Sequence, residues 1–227
     1  MADIAVALDH DSPRAALALV DAAGAAGTWF KIGPVLFVRD GPALIRELLG
    51  RGKRVFLDLK WHDIPHTVAG AVEAAASLGV HLATVHLAGG RAMLEAAVGA
   101  RVGDLRLAGV GVLTSHGAAD YAAIVGRETV DTAAEQLRMA RVARAVGLDA
   151  MVCAAGEAAA LRVVLGPGRM LVVPGIRRSG EGAGDQVRTA TPEAAVRAGA
   201  DLLVIGRPIT EAKDPKAALE EFRKAAV

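Results

Sequence analysis

The residues best suited to chemistry lie in one short stretch, Arg54-Val-Phe-Leu-Asp-Leu-Lys-Trp-His-Asp-Ile-Pro-His-Thr67. Val55, Phe56, Leu57 and Leu59 have strand propensity, and strand side chains alternate faces. Asp58 and Lys60 therefore project to one side while Leu57 and Leu59 project to the other. Two buried charges are costly even when paired, and a purely structural pair is often replaceable by packed apolar residues. A structural ion pair nevertheless stays open as a reading of this segment alone. Asp63 follows Lys60 within about 10 Å of chain reach, and Pro65 suits the first turn of a helix preceded by Asp63 or Ile64. Asp, Lys and Asp thus gather where a strand ends and a helix starts. An ammonium kept charged by neighbouring carboxylates can stabilise a developing anion and then protonate it.

The rest of the chain must position this group. Asp3 to Asp9 reads as a buried strand, and Ser12-Pro13 opens an Ala/Leu-rich helix through N-cap and proline signals. Gly27 to Gly33 reads as a second strand with Lys31 at its end, and Pro34 to Gly50 as the next helix. After the central strand come a helix from Pro65 to Leu78 ended by Gly79, a strand from Val80 to Leu87, a helix from Gly90 to Gly99, and a strand from Leu105 to Leu113 running into Thr114-Ser115. A longer connection from His116 to Thr129, with a short helix, precedes an amphipathic helix from Val130 to Val146. Strand six is Ala150 to Cys153, with its helix from Gly156 to Leu165. Strand seven is Met170 to Val173, followed by a glycine-rich loop. Thr191-Pro192 caps a helix, Asp201 to Arg207 is strand eight, and a last helix runs from near Pro215 to Ala225. Eight regular strand–helix pairs predict a TIM (β/α)8 barrel, read as a single domain over residues 1–227.

In such a barrel, functional groups sit at the C-terminal ends of the strands, so Asp9, Lys31, Asp58, Lys60, Thr114 and Arg207 should converge on one mouth. Of 26 basic residues only six are Lys, and two of those six interrupt strands, which argues for placement rather than accident. The loops after strands seven and eight commonly build a phosphate site in this fold. Here they offer Gly175, Gly180, Gly182 and Gly184 for close backbone approach, Arg177 and Arg207 for forked charge-assisted bonds, and Gln186 as an amide donor. The bland alternative is a solvated glycine loop with solvated arginines.

Composition narrows the class. Hydrophobic residues make up 53% of the chain but aromatics only 3%, which calls for a core of Ala, Val, Leu and Ile, as in strands covered by helices. A net charge of +1 provides no basic field for nucleic acid. The N-terminus leads straight into a strand without a secretory pattern. The Ala74–Gly90 stretch changes from helical to strand character, so no membrane span is expected. One cysteine permits no intrachain disulfide, and a cytoplasmic protein is the expectation. His62 and His66 are four apart near Asp58 and Asp63, but Pro65 puts His62 ahead of the helix, so satisfied or surface histidines are favoured over a metal site. Cys153 reads as a packed thiol.

The segment Asp58-Leu-Lys-Trp-His-Asp-Ile-Pro-His-Thr67 resembles the D-x-K-x-x-D-I-x-x-T signature of the orotidine 5′-monophosphate decarboxylase family, in its bacterial form. Further similarities are the early strand ending in Asp9, Phe30-Lys31-Ile-Gly33, Val112-Leu-Thr-Ser115, Val152-Cys153, Pro174-Gly-Ile-Arg177, Gly184-Asp-Gln-Val-Arg188, Thr191-Pro192 and Val204-Ile-Gly-Arg-Pro-Ile209. They span nearly the whole chain.

The resemblance implies decarboxylation of orotidine 5′-monophosphate to UMP and CO2 in de novo pyrimidine synthesis, without cofactor or metal. It implies that Lys60 protonates C6 of the pyrimidine within a charged array of Lys31, Asp58, Lys60 and Asp63. Asp63, Ile64 and Thr67 resemble positions that enter the neighbouring subunit's site, implying a homodimer. Asp9 and Lys31 resemble ribose contacts, Thr114 and Pro174 lie among the substrate-binding positions, and Arg177, Gln186, Gly206 and Arg207 resemble phosphate and loop contacts. Two other functions compete. A metal-dependent sugar-phosphate decarboxylase or aldolase of the same barrel group would carry an acidic ligand where Lys31 stands, and a cation there repels a divalent metal. A non-catalytic nucleotide-binding barrel would be expected to lose Asp58, Lys60 or Asp63, and all are present.

Overall fold

The computed structural model describes residues 1–182 and 188–227. Eight parallel strands pair in sequence order and close into a barrel: β1 (Asp3–Leu8), β2 (Trp29–Ile32), β3 (Arg54–Trp61), β4 (Leu82–His86), β5 (Arg106–Val110), β6 (Ala150–Val152), β7 (Met170–Val173) and β8 (Leu202–Ile205), with β8 pairing back to β1. The helices are α1 (Pro13–Ala23), α2 (Pro34–Gly50), α3 (Pro65–Ser77), α4 (Gly90–Gly99), α5 (Ala118–Ile124), α6 (Thr132–Val146), α7 (Ala155–Leu165), α8 (Pro192–Arg197), α9 (Arg207–Thr210) and α10 (Pro215–Ala225). Proline opens α1, α2, α3, α8 and α10, where its missing N–H costs nothing and its φ suits the first turn. The expected TIM barrel is the observed architecture. Among the described residues no helix is long and apolar enough to cross a membrane.

Several boundaries differ from the sequence reading, each for a local reason. The β5 strand stops at Val110 because the Val112 amide donates to the side-chain Oε1 of Gln136, at 3.1 Å, instead of to a neighbouring strand. Strand eight ends at Ile205 because the backbone leaves the strand conformation at Gly206 (φ −103°, ψ −110°), and Arg207 instead begins the short helix α9. Helix α2 is interrupted at Asp40, whose backbone is non-helical two residues before Pro42.

Two cores result. The larger one lies between the strands and the helices. The smaller one fills the barrel with Ala5, Ala7, Ala108, Ala150, Val172, Leu202 and Val204 around the bulky Trp29, Phe56 and Leu82. The period of two along a strand carries this inner face upward, from Ala7 to Asp9, Trp29 to Lys31, Phe56 to Asp58 and Leu82 to Thr84. The apolar plug is therefore the floor beneath a ring of polar groups. At the other end of the barrel Arg54 stacks over Trp29, 4.1 Å from its ring centre, and the indole N–H reaches Asp3 at 3.3 Å.

Candidate active site

An open cavity of about 590 Å³ sits over the apolar floor at the C-terminal mouth of the barrel. Its wall includes Asp9, Lys31, Asp58, Lys60, Thr114, Pro174, Arg177, Gly206 and Arg207, so the strand-end residues singled out in the sequence share one space. The size falls within the ordinary range for a small-ligand site. Asp63, Ile64 and Thr67 do not line it. They lie exposed at the start of α3, where Ile64 is 65% exposed and the Asp63 carboxylate accepts its amide at 2.6 Å. Gln186 lies outside the described residues.

Within the mouth the charges alternate. Lys31 Nζ donates to Asp9 Oδ1 at 2.8 Å and stands 4.0 Å from Asp58 Oδ2, while Lys60 Nζ donates to that same Oδ2 at 2.9 Å. Lys31 is only 8% exposed. With Asp9 on one side and Asp58 on the other, its ammonium has the counter-charges that burial demands. Asp58 is therefore shared by two ammoniums, and Lys60, the more open of them, faces the cavity.

The expected alternation of Asp58 and Lys60 is bent. Among the described residues Lys60 is the only non-glycine at positive φ, 51°, and the β3–β4 register shifts between Leu57 and Trp61. A left-handed backbone costs a side-chain-bearing residue roughly 1–2 kcal/mol. The ladder irregularity frees the Lys60 amide from strand pairing, and that amide donates to the hydroxyl of Thr84 on β4 at 2.8 Å. Sequence reasoning missed Thr84. Its only signal is a polar residue inside a buried strand, and Thr is common in strands for packing reasons alone.

A second network braces the wall carrying Thr114. Gln136, 1% exposed, accepts from Val112 and donates to Glu157 Oε2 at 3.3 Å, and Glu157 Oε2 also accepts the Ala154 amide at 2.9 Å. Arg188 pairs with Glu157 Oε1 and donates to the Leu113 carbonyl at 3.1 Å. Gly111 is needed here because a β-carbon would come within 1.9 Å of Gln136 Oε1. These links tie the residues after β5 to α6, α7 and the polypeptide entering α8.

The histidines take other roles. His62 stacks on His86 with ring centres 5.2 Å apart. Burial, and then the nearby His62, Lys60 and His116, push the His86 pKa down, which favours its neutral form. No group of three or more His, Cys, Asp or Glu side chains suited to a metal occurs among the described residues. Cys153 is fully buried in the core, and burial, reinforced by the Glu157 carboxylate, pushes its thiol pKa up, which disfavours the thiolate.

A family model described as orotidine 5′-phosphate decarboxylase / HUMPS family matches residues 2–222. The chain belongs to this family. It is 50% identical over 222 residues to the orotidine 5′-phosphate decarboxylase of Halorhodospira halophila, covering 95% of this chain and 92% of that protein. It is 44% identical over 226 residues to the protein of the same name from Coxiella burnetii, with 97% and 95% covered. A crystal structure of orotidine 5′-phosphate decarboxylase from Lactobacillus acidophilus superposes with a TM-score of 0.88 at 32% identity, over 100% of this chain and 99% of that one. In this member of the orotidine 5′-phosphate decarboxylase / HUMPS family, Lys31, Asp58 and Lys60 lie on β2 and β3, and Asp9, Arg177 and Arg207 follow the ends of β1, β7 and β8.

Proposed function

We propose that this protein decarboxylates orotidine 5′-monophosphate to UMP and CO2, completing UMP synthesis. The observation that carries the reading is the shared Asp58, held between two lysines in a cavity that also presents Arg177 and Arg207. Breaking the C6–carboxylate bond leaves an electron pair in the plane of the pyrimidine ring, where the ring π-system cannot accept it. Charge must be met from outside. The Lys60 ammonium, paired with Asp58 at 2.9 Å, stabilises that electron pair and then transfers a proton to C6, and solvent restores the lysine. Asp58 beside the substrate carboxylate disfavours the bound ground state, Asp9 and Lys31 hold the ribose, and Thr114 and Pro174 bound the nucleotide. Arg177, Gly206 and Arg207 receive the phosphate together with Gln186. Binding energy from the phosphate is then available at the reacting carbon.

The partner subunit's Asp63, Ile64 and Thr67 complete the site in this reading. Their exposure at the start of α3, outside the cavity of their own chain, supports that assignment. The direct test is loss of orotidine 5′-monophosphate absorbance on adding purified protein. No turnover by a folded protein would reject the reaction.

Two results should accompany turnover. Activity should persist in excess EDTA, because Lys31 places a cation where a metal-dependent relative needs an acidic ligand. Activity lost to EDTA and restored by Mg²⁺ or Zn²⁺ would instead support a sugar-phosphate enzyme. Arg207→Ala should lower kcat/KM for the phosphorylated substrate roughly tenfold to two-hundredfold, the worth of one charge-assisted hydrogen bond. The loss should be small for orotidine, which has no phosphate. Equal losses on both substrates would remove Arg207 from the phosphate site.

A further inference from the structure

We infer that Thr84 is a positioning residue that fixes both members of the Asp58/Lys60 pair through one hydroxyl. This rests on the decarboxylase reading. The Thr84 side chain is fully buried, and its oxygen has two polar partners, one bonded in each sense. It accepts the Lys60 amide at 2.8 Å and donates its single proton to Asp58 Oδ1 at 3.0 Å.

Each bond has a consequence at the mouth. The first replaces the ladder bond that Lys60 forfeits where the β3–β4 register shifts, and so anchors the amide of the residue at φ 51°. Without it, a partly buried N–H would lose its partner and Lys60 would have less reason to hold a strained backbone. The second occupies Oδ1 of Asp58, which turns Oδ2 toward both ammoniums, 2.9 Å from Lys60 and 4.0 Å from Lys31. A carboxylate free to rotate would present either oxygen to either lysine. One hydroxyl from the adjacent strand therefore sets the backbone of the proton donor and the face of its carboxylate partner together.

A packing role and a positioning role predict different kinetics. Thr84→Val keeps the branched shape and removes the hydroxyl, Thr84→Ser keeps the hydroxyl and removes the methyl, and Thr84→Ala removes the oxygen with less crowding. Thr84→Val and Thr84→Ala should lower kcat about ten- to a hundredfold, the range for one hydrogen bond to a charged group. UMP affinity and KM should stay within about threefold, because the phosphate contacts are untouched and Lys31 keeps Asp9 as its 2.8 Å partner. Exchange of the C6 hydrogen of UMP in D2O should slow in parallel with kcat, since the C6 proton passes to the Lys60 amine and a deuteron returns from it, with no C–C bond broken. Thr84→Ser should restore both rates to within about threefold of native. Native-like kcat in Thr84→Val would overturn the inference, as would a Ser variant no better than Val. Failure of both Val and Ala variants to fold would assign Thr84 to the fold and overturn it too. Native protein and Lys60→Ala are assayed alongside. An inactive native protein rejects the reaction itself and the inference with it, whereas an active native enzyme, a dead Lys60→Ala and an unaffected Thr84→Val reject only the role of Thr84.

Discussion

Lys60→Ala should reduce kcat for orotidine 5′-monophosphate by about 10⁴-fold or more, while binding of UMP changes little. In the proposed mechanism two separate contributions vanish with the ammonium. One is proton transfer to C6, ordinarily worth about 10²–10⁴, and the other is electrostatic stabilisation of the carbanion before the proton arrives, worth about 10²–10³ for a single lost donor. The deletion is confined to the side chain. Alanine keeps the β-carbon, so the strain at φ 51° is unchanged, and the amide can still donate to Thr84. Asp58 loses its 2.9 Å partner but retains Lys31 at 4.0 Å and the Thr84 hydroxyl at 3.0 Å. Single-turnover measurement separates this loss from slow product release. A kcat within tenfold of native would exclude Lys60 as proton donor and return the Asp58/Lys60 pair to a structural role.

Much of the barrel was legible because each βα unit is punctuated locally. Ser12-Pro13, Thr191-Pro192 and Asp214-Pro215 each place a capping side chain before a helix-opening proline, and all three caps accept a backbone amide. The strand-end charges were legible for a related reason: Lys31 and Lys60 break apolar runs, and the fold then sends every such interruption to the same mouth. What could not be read depends on contacts far apart in the chain. Gln136 and Glu157 look like ordinary polar residues of amphipathic helices, yet they are joined to each other and to Val112 and Arg188 inside the wall. The left-handed turn at Lys60 likewise has no local sequence cue, since no Gly or Asn marks it. Its cause is the bulge against β4 and the hydroxyl waiting there, a tertiary constraint that overrides the strand preference of Leu57 to Trp61.

Mixing inactive Lys60→Ala and Asp63→Ala subunits should return about a quarter of native activity if the subunits exchange freely and if, as proposed, each site of a two-fold dimer draws Lys60 from one chain and Asp63 from the other. A mixed dimer then holds one site with both residues intact and one with both removed, and random pairing makes half of all dimers mixed. The motivation is the separation of the two residues within one chain. Lys60 lines the cavity beside Asp58, whereas Asp63 lies outside it on exposed backbone at the start of α3, next to the exposed Ile64. An apolar side chain and a carboxylate displayed together on that edge suit insertion beneath a neighbour's mouth, where the carboxylate would meet the ammonium of Lys60 as a counter-charge. Mixed dimers can be isolated by tagging the two variants differently, which removes ambiguity about whether exchange took place. Purified mixed dimers should then show about half the native rate per dimer, one intact site of two, with the substrate KM of the native enzyme. Purified mixed dimers without activity would place Asp63 in the same site as its own chain's Lys60 or outside catalysis altogether.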